Sequence, residues 1–210
     1  ETLGEIAREK AGIIKPHVPV VVGEMPAEPF SVIAEVAAQS SAPRYAFHHE
    51  FEAHWTPIDP LPGPRPVRYA VTLLESGQQF GPFSLAMPGE HQARNAAVAV
   101  GIVQKLRAAG FQIDDEALRR GLARAHCPLR TEVRGVQPLL IIDAAHNPAS
   151  IAAVCDTLRS IQARRRILVF AASRDKEVLA MLDLLAPQAD LLIVTRFLNN
   201  PRAVPVEELE

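Results

Sequence analysis

Four apolar residues in a row, LLII at 139–142, end on Asp143 and two alanines, after which His146-Asn147-Pro148 opens a new helical pattern. The run fits a strand over 138–143, its apolar residues buried on both faces, and the spacing after it fits an amphipathic helix over 149–161. The alternation then repeats, with a strand at 166–172, a helix at 175–186 and a strand at 190–195. Such strand–helix–strand units predict a parallel sheet with right-handed crossovers. Upstream, Thr2 and Glu5 have capping-box spacing, and LGEIAREKAG reads as a helix stopped near Gly12. VPVVVG (18–23) predicts a strand and PFSVIAEVAAQS (29–40) a helix, together an α/β layer. Between Arg44 and Met87 the pattern changes. YAF, FEAHW, VRYAVTLL and PFSLAM read as short strands broken by PIDPLPGPRP and ESGQQFG, which predicts a small antiparallel sheet. Helices over 91–110 and 114–125 follow, the second opening with carboxylates at its positive end. CPLRTEVRG (127–135) reads as a domain junction.

Composition narrows the class. A chain of 210 residues, 48% of them hydrophobic, can bury one large core or two modest ones. A net charge of −2 supplies no basic field for nucleic acid or an anionic membrane. No apolar run is long enough to span a bilayer, and no signal peptide opens the chain. Cys127 and Cys155 lack metal-ligand spacing and default to thiols in a reducing compartment, so a cytoplasmic protein is expected. The chain opens on Glu1 in a helical pattern and closes on VPVEELE, a helix just begun, which predicts a piece of a longer protein.

In open parallel sheets ligands bind beyond the carboxyl ends of the strands. Asp143 and His146 lie at the carboxyl end of one predicted strand, and Ser173, Arg174, Asp175 and Lys176 at the end of the next, which makes this edge the candidate site. Each residue also has a plain reading. Asp143 can cap the following helix, His146 can be a turn residue bonded to backbone, and SRDKE can be a polar loop. Lys10 suits the end of a helix dipole, and Arg130 can be solvated in its linker. Asn95 is a poor mid-helix residue, and His91 and Gln92 share its face one turn back. No Gly-x-Gly-x-x-Gly follows a strand, no Gly-x-x-x-x-Gly-Lys-Ser/Thr occurs, and neither a zinc spacing nor a Ser/His/Asp set stands out. Taken alone, the residues describe an α/β ligand-binding protein with a polar strand-edge site.

The motifs together carry a resemblance. TLGEIAREKAGIIKPHVPVVVG (2–23) closely resembles the TLxxIAxEKAGIxKxGxPVV segment of the folylpolyglutamate synthase/dihydrofolate synthase family of the Mur ligase superfamily. MPGEHQARNAAVA (87–99) is similar to that family's GxHQxxNAxxA, PLRTE (128–132) to PGRxE, and LLIIDAAHNPAS (139–150) to DGAHNP. VFAASRDKEVLAML (169–182) resembles FGxxxDKD with its helix, and TRFLNNPRA (195–203) resembles TRPxNPRA. The resemblance implies an α/β chain in two parts. Residues 1–127 would be the later part of a P-loop-type central ATPase domain with its small antiparallel sheet. Residues 128–210 would be an incomplete, Rossmann-like, parallel-sheet ligase domain.

Such enzymes join L-glutamate to folate or dihydropteroate. ATP phosphorylates the acceptor carboxylate, and the glutamate amine attacks the acyl phosphate, with magnesium and cationic groups stabilising the charge. The resemblance makes Lys10 a carboxylated lysine facing a second magnesium ion and gives Asn95 the adenine. It gives Arg130 the ATP phosphates, Asp143 the ribose hydroxyls and His146 a place beside phosphate transfer. Asp175 and Lys176 would lie where glutamate enters. It also implies a monomer, and it puts the phosphate-binding loop upstream of residue 1, so that these residues alone would be inactive. The chain departs from the family at Leu129, Ala144, Ala171 and Glu177, where the family has Gly, Gly, Gly and Asp. Two other readings stay open: a Mur-type ligase acting on a peptidoglycan precursor, and a non-catalytic nucleotide-binding relic.

Overall fold

The computed structural model describes residues 2–58 and 63–209, so part of the PIDPLPGPRP break lies outside the described residues. The chain divides into two compact units. The first comprises Glu1–Thr56, Ala70–Leu85 and Gln92–Arg124, and the second Pro57–Tyr69, Ala86–His91 and Ala125–Glu210.

In the first unit, helix α1 (Leu3–Ala11) starts at the expected capping box. Glu5 N–H donates to Thr2 Oγ1 at 3.2 Å and Thr2 N–H to Glu5 Oε2 at 2.7 Å. Strand β1 (Val20–Val22), helix α2 (Ala27–Gln39) and strand β2 (Arg44–Ala46) form a crossover unit. β1 and β2 pair in parallel, from Val20 opposite Arg44 to Val22 opposite Ala46. The sequence pattern assigned this second strand to the antiparallel sheet. It joins the α/β layer instead, because the α2 crossover returns the chain in the same direction and Tyr45, Ala46 and Phe47 are all buried. The antiparallel sheet consists of β3 (Glu52–Pro57), β4 (Tyr69–Glu75) and β5 (Gln78–Ser84) in that order. Ser76 and Gly77, with φ of 50° and 79°, form a tight turn, so β5 begins at Gln78 and QQFG is strand rather than a break. Helix α3 (Glu90–Ala108) lies close on the α/β layer: a methyl group at Gly101 would sit 3.3 Å from the Tyr45 ring, and one at Gly23 would sit 3.2 Å from Val98. Helix α4 (Asp115–Arg124) packs on β5.

The second unit contains β6 (Glu132–Val136), β7 (Leu139–Ile142), α5 (Pro148–Arg159), β8 (Ile167–Phe170), α6 (Val178–Leu185) and β9 (Leu191–Val194). β8 and β9 pair in parallel as expected, from Ile167 opposite Leu191 to Phe170 opposite Val194. β7 is paired antiparallel with β6, a strand hidden inside the predicted junction. Among the described residues the three expected parallel strands are therefore one parallel pair and one hairpin. β7 is not buried on both faces either: Leu139 and Ile141 are half-buried, but Leu140 and Ile142 are 52% and 37% exposed. Helix α6 starts at Val178 rather than 175, because Lys176 N–H donates to Ser173 O and turns the chain first. The core gathers Ile151, Cys155, Phe170, Ala172, Met181 and Leu185, with Ala145 packed against it.

Candidate functional site

Asp143 is the first residue beyond β7, and its carboxylate is engaged on both oxygens. Oδ2 accepts from Thr131 N–H at 2.7 Å and from the Thr131 hydroxyl at 3.2 Å, and Oδ1 accepts from Ala145 N–H at 2.7 Å. It does not cap α5. That role falls to Asn147, whose Oδ1 accepts from Ser150 N–H at 2.8 Å. Asp143 instead ties down the 128–132 turn, an attachment reinforced by Ala144 N–H donating to Leu129 O at 2.8 Å. Glu132 holds the same turn from its other end: Oε2 accepts from Leu129 N–H at 3.0 Å, and Oε1 lies 3.0 Å from Arg134 Nε and 3.3 Å from His126 Nε2. The Leu129 N–H, with help from His126 and Arg134, holds the Glu132 carboxyl below its usual range.

The tied turn is strained. Leu129 and Thr131 have φ of 59° and 46°, the left-handed region, which costs a non-glycine residue on the order of 1–3 kcal/mol. Thr131 is β-branched and buried, which makes its conformation the more unusual. At position 129 the resemblance has Gly, so the chain keeps a backbone that glycine adopts freely while carrying leucine. Arg130 stands between the two strained residues. It is exposed and makes no hydrogen bond or ion pair among the described residues. The result is a fixed turn presenting a free guanidinium, a group suited to phosphate.

His146 lies three residues past Asp143. Its Nδ1 is 3.0 Å from Ala144 O and its N–H donates to Ser150 Oγ at 3.1 Å. With Nδ1 as the donor, Nε2 is left as an acceptor. Asp175 and Lys176 occupy the turn beyond β8, with Nζ 2.8 Å from Oδ2. The Lys176 bond, aided by the charge of Arg202, keeps the Asp175 carboxyl low. The SRDK turn is stitched to the NNPRA segment. Arg174 N–H donates to Arg202 O at 2.8 Å, Val204 N–H donates to Ala172 O at 3.0 Å, and the Arg174 guanidinium grips Glu208 at 3.0 and 3.1 Å. Beyond β9, Arg196, Asn199, Asn200 and Pro201 border an open depression of about 430 Å³. Two sequence blocks thus meet at one polar edge. Thr131 and Arg202 carry no sequence signal of their own; each lies inside a motif block, beside or near a residue of more obvious chemistry.

Lys10 and Asn95 belong to the first unit. Lys10 lies in the last turn of α1 with a 69% exposed side chain, and its Nζ is 2.7 Å from Glu9 Oε1. Asn95 is an exposed residue of α3, and its Nδ2 donates to Gln92 Oε1 at 3.3 Å, which leaves the Asn95 carbonyl oxygen and a second N–H. Among the described residues no group of three or more His, Cys, Asp or Glu is placed to hold a metal ion. No helix among them is long and apolar enough to cross a membrane.

Residues 129–210 match the family described as Mur ligase, glutamate ligase domain. Dihydrofolate synthase/folylpolyglutamate synthase of Bacillus subtilis is 30% identical over 219 residues, covering 99% of this chain and 47% of that protein. The protein of the same name from Mycobacterium tuberculosis is 33% identical over 214 residues, covering 97% of this chain and 42% of its own length. The solved structure of Mycobacterium tuberculosis folylpolyglutamate synthase complexed with ADP superposes with a TM-score of 0.87 at 31% identity, over 100% of this chain and 46% of that one. The chain therefore spans a little under half the length of these relatives. The fold is that of a Mur-type α/β ligase, with central-domain elements including a small antiparallel sheet followed by a Rossmann-like C-terminal domain. Residues 129–210 belong to the Mur ligase glutamate ligase domain family, and the chain along nearly all its length is similar to part of the folylpolyglutamate synthases.

Proposed function

We propose that this chain is part of an ATP-dependent carbon–nitrogen ligase that adds L-glutamate to folate or dihydropteroate. ATP transfers its terminal phosphoryl group to the acceptor carboxylate, giving an acyl phosphate and ADP. The glutamate amine attacks the carbonyl carbon, the C–N bond forms, the C–O bond to phosphate breaks, and the amine gives up a proton. The observation that carries this reading is Arg130: an exposed guanidinium, without a partner among the described residues, on a fixed turn inside the segment that matches a glutamate ligase domain. A preorganised cation of this kind stabilises charge that builds up on a transferring phosphoryl group.

The remaining roles follow the family pattern. The open amide groups of Asn95 suit adenine, and the remaining acceptor capacity on Asp143 suits a ribose hydroxyl. His146 Nε2 is available to take a proton near the transfer step. Asp175 and Lys176 offer both signs of charge to the zwitterionic glutamate. We divide the chain between these roles at 127/128, central domain before and ligase domain after. Magnesium and a carboxylated Lys10 would supply further charge neutralisation. The protein is read as a cytoplasmic monomer, a compartment that suits the free thiols Cys127 and Cys155.

The test is glutamate-dependent release of ADP by the complete protein containing this chain, with mass spectrometry of the folate product. A product heavier by one glutamyl residue is expected. ADP release driven equally by a peptidoglycan precursor and its amino acid, with folate inert, would replace this reading with the other Mur-type one.

A further inference from the structure

Thr131 is the least expected residue of the Arg130 turn. It is 2% exposed, lies in the left-handed region at φ 46°, and is followed directly by the strand that pairs with β7. Both its donors converge on one acceptor, Asp143 Oδ2. The preceding amide but one, that of Leu129, is held by a second carboxylate, Glu132. The amides on either side of Arg130 are therefore each captured by a carboxylate, and the residue between them has no freedom to swing with the backbone. A loop that only linked two elements could satisfy its amides with water at less conformational cost.

We propose that Thr131 is a positioning residue for the nucleotide phosphates: through Asp143 Oδ2 it fixes the direction in which Arg130 leaves the chain. This rests on the reading of Arg130 as a phosphate-binding group. It divides the work of Asp143 between its two oxygens. Oδ2 is committed to Thr131, and Oδ1, which carries the single bond from Ala145 N–H, keeps room for a ribose hydroxyl. The threonine hydroxyl is the part a phosphate site needs. Valine would keep the shape and the backbone N–H but lose one of the two bonds, and serine would keep both bonds.

The experiment compares Thr131→Val, Thr131→Ser, Arg130→Ala and the Thr131→Val/Arg130→Ala double variant in the complete protein. It measures KM for ATP, for 2′-deoxy-ATP and for glutamate, together with the unfolding midpoint. Thr131→Val is expected to raise the ATP KM about ten-fold, the effect of losing one charge-assisted bond. It should leave the glutamate KM and the preference for ATP over 2′-deoxy-ATP unchanged. Thr131→Ser should restore the wild-type value, and in the Arg130→Ala background Thr131→Val should add nothing. Three results overturn the proposal while leaving Arg130 in its role: a lower unfolding midpoint with unchanged ATP KM, a full independent loss in the double variant, or a loss confined to ribose discrimination. If Arg130→Ala itself leaves the ATP KM unaltered, the phosphate reading of Arg130 fails first and the proposal falls with it.

Discussion

Thr131 and Asp143 are joined twice over, through the threonine N–H at 2.7 Å and its hydroxyl at 3.2 Å, both on the same carboxylate oxygen. The pair spans twelve positions of sequence and closes the turn on which Arg130 stands. Bonds to a charged acceptor contribute about 1.5–3 kcal/mol each, the same order as the strain of holding leucine and threonine left-handed. The two bonds therefore offset strain of their own order.

That balance separates two glycine substitutions. Leu129→Gly relieves strain at an exposed side chain, at the expense of a more flexible unfolded chain, so stability is expected to stay level or rise by up to about 1 kcal/mol. Thr131→Gly relieves the same kind of strain but deletes a buried hydroxyl that donates to Asp143, and should destabilise by about 1–3 kcal/mol. Urea unfolding of both variants measures the difference. Equal effects would show that the Thr131 hydroxyl contributes nothing to the turn.

Asp143→Ala removes the acceptor from both Thr131 donors and from Ala145 N–H. In the complete protein it should raise the ATP KM much more than the glutamate KM, by a factor corresponding to about 1.5–3 kcal/mol. Loss of thermal stability with an unchanged ATP KM would make Asp143 a structural tie alone.

Glu132 gives the turn a pH dependence of known sign. Its carboxyl is held below the usual range, chiefly by Leu129 N–H, so it binds protons less readily folded than unfolded. Its stabilisation is fully present above the ordinary carboxylate pKa and is lost as pH falls through the depressed folded value. The unfolding midpoints of wild type and Glu132→Gln should therefore differ at neutral pH and converge in acid. A gap that stays constant down to acid pH would rule out this coupling.

Much of this arrangement could be read from the sequence, and the part that could not has a common cause. The helices, the Thr2–Glu5 cap and the polar ends of the strands follow from local spacing, and the structure has them. The sheet that β2 joins is not legible in its three residues, because its partner is chosen by burial of Tyr45 and Ala46 beside β1. β6 has no clear strand pattern because EVRGV interleaves two charges with a glycine, and its register shifts between Val133 and Gly135. Thr131 looked like a linker residue because its importance lies in a bond to a residue twelve positions away.

Lys10 is where the sequence expectation and the structure pull furthest apart. The apolar residues of IAREKAGII predict partial burial of Lys10, which would favour a neutral amine, the form that takes up carbon dioxide. The side chain is instead 69% exposed, and Glu9 lies 2.7 Å from its Nζ. Free lysine, with a pKa of about 10.4, is a cation near neutrality. The pairing is also seen from the other side, since the bond from Lys10 lowers the Glu9 carboxyl. Carboxylation would replace this attraction with repulsion between two anions, unless a hard cation sat beside their oxygens. In the complete protein the carbamate should therefore form only with magnesium and nucleotide present, and Glu9→Gln should let it form more readily without the metal. NMR with isotope-labelled bicarbonate measures both. Lys10→Ala should nearly abolish ligation while leaving the fold intact, and added acetate should restore part of it by supplying the missing oxygens. Full activity in the alanine variant would end the carbamate reading, and a carbamate that ignores both Glu9 and magnesium would show that the ion pair is incidental.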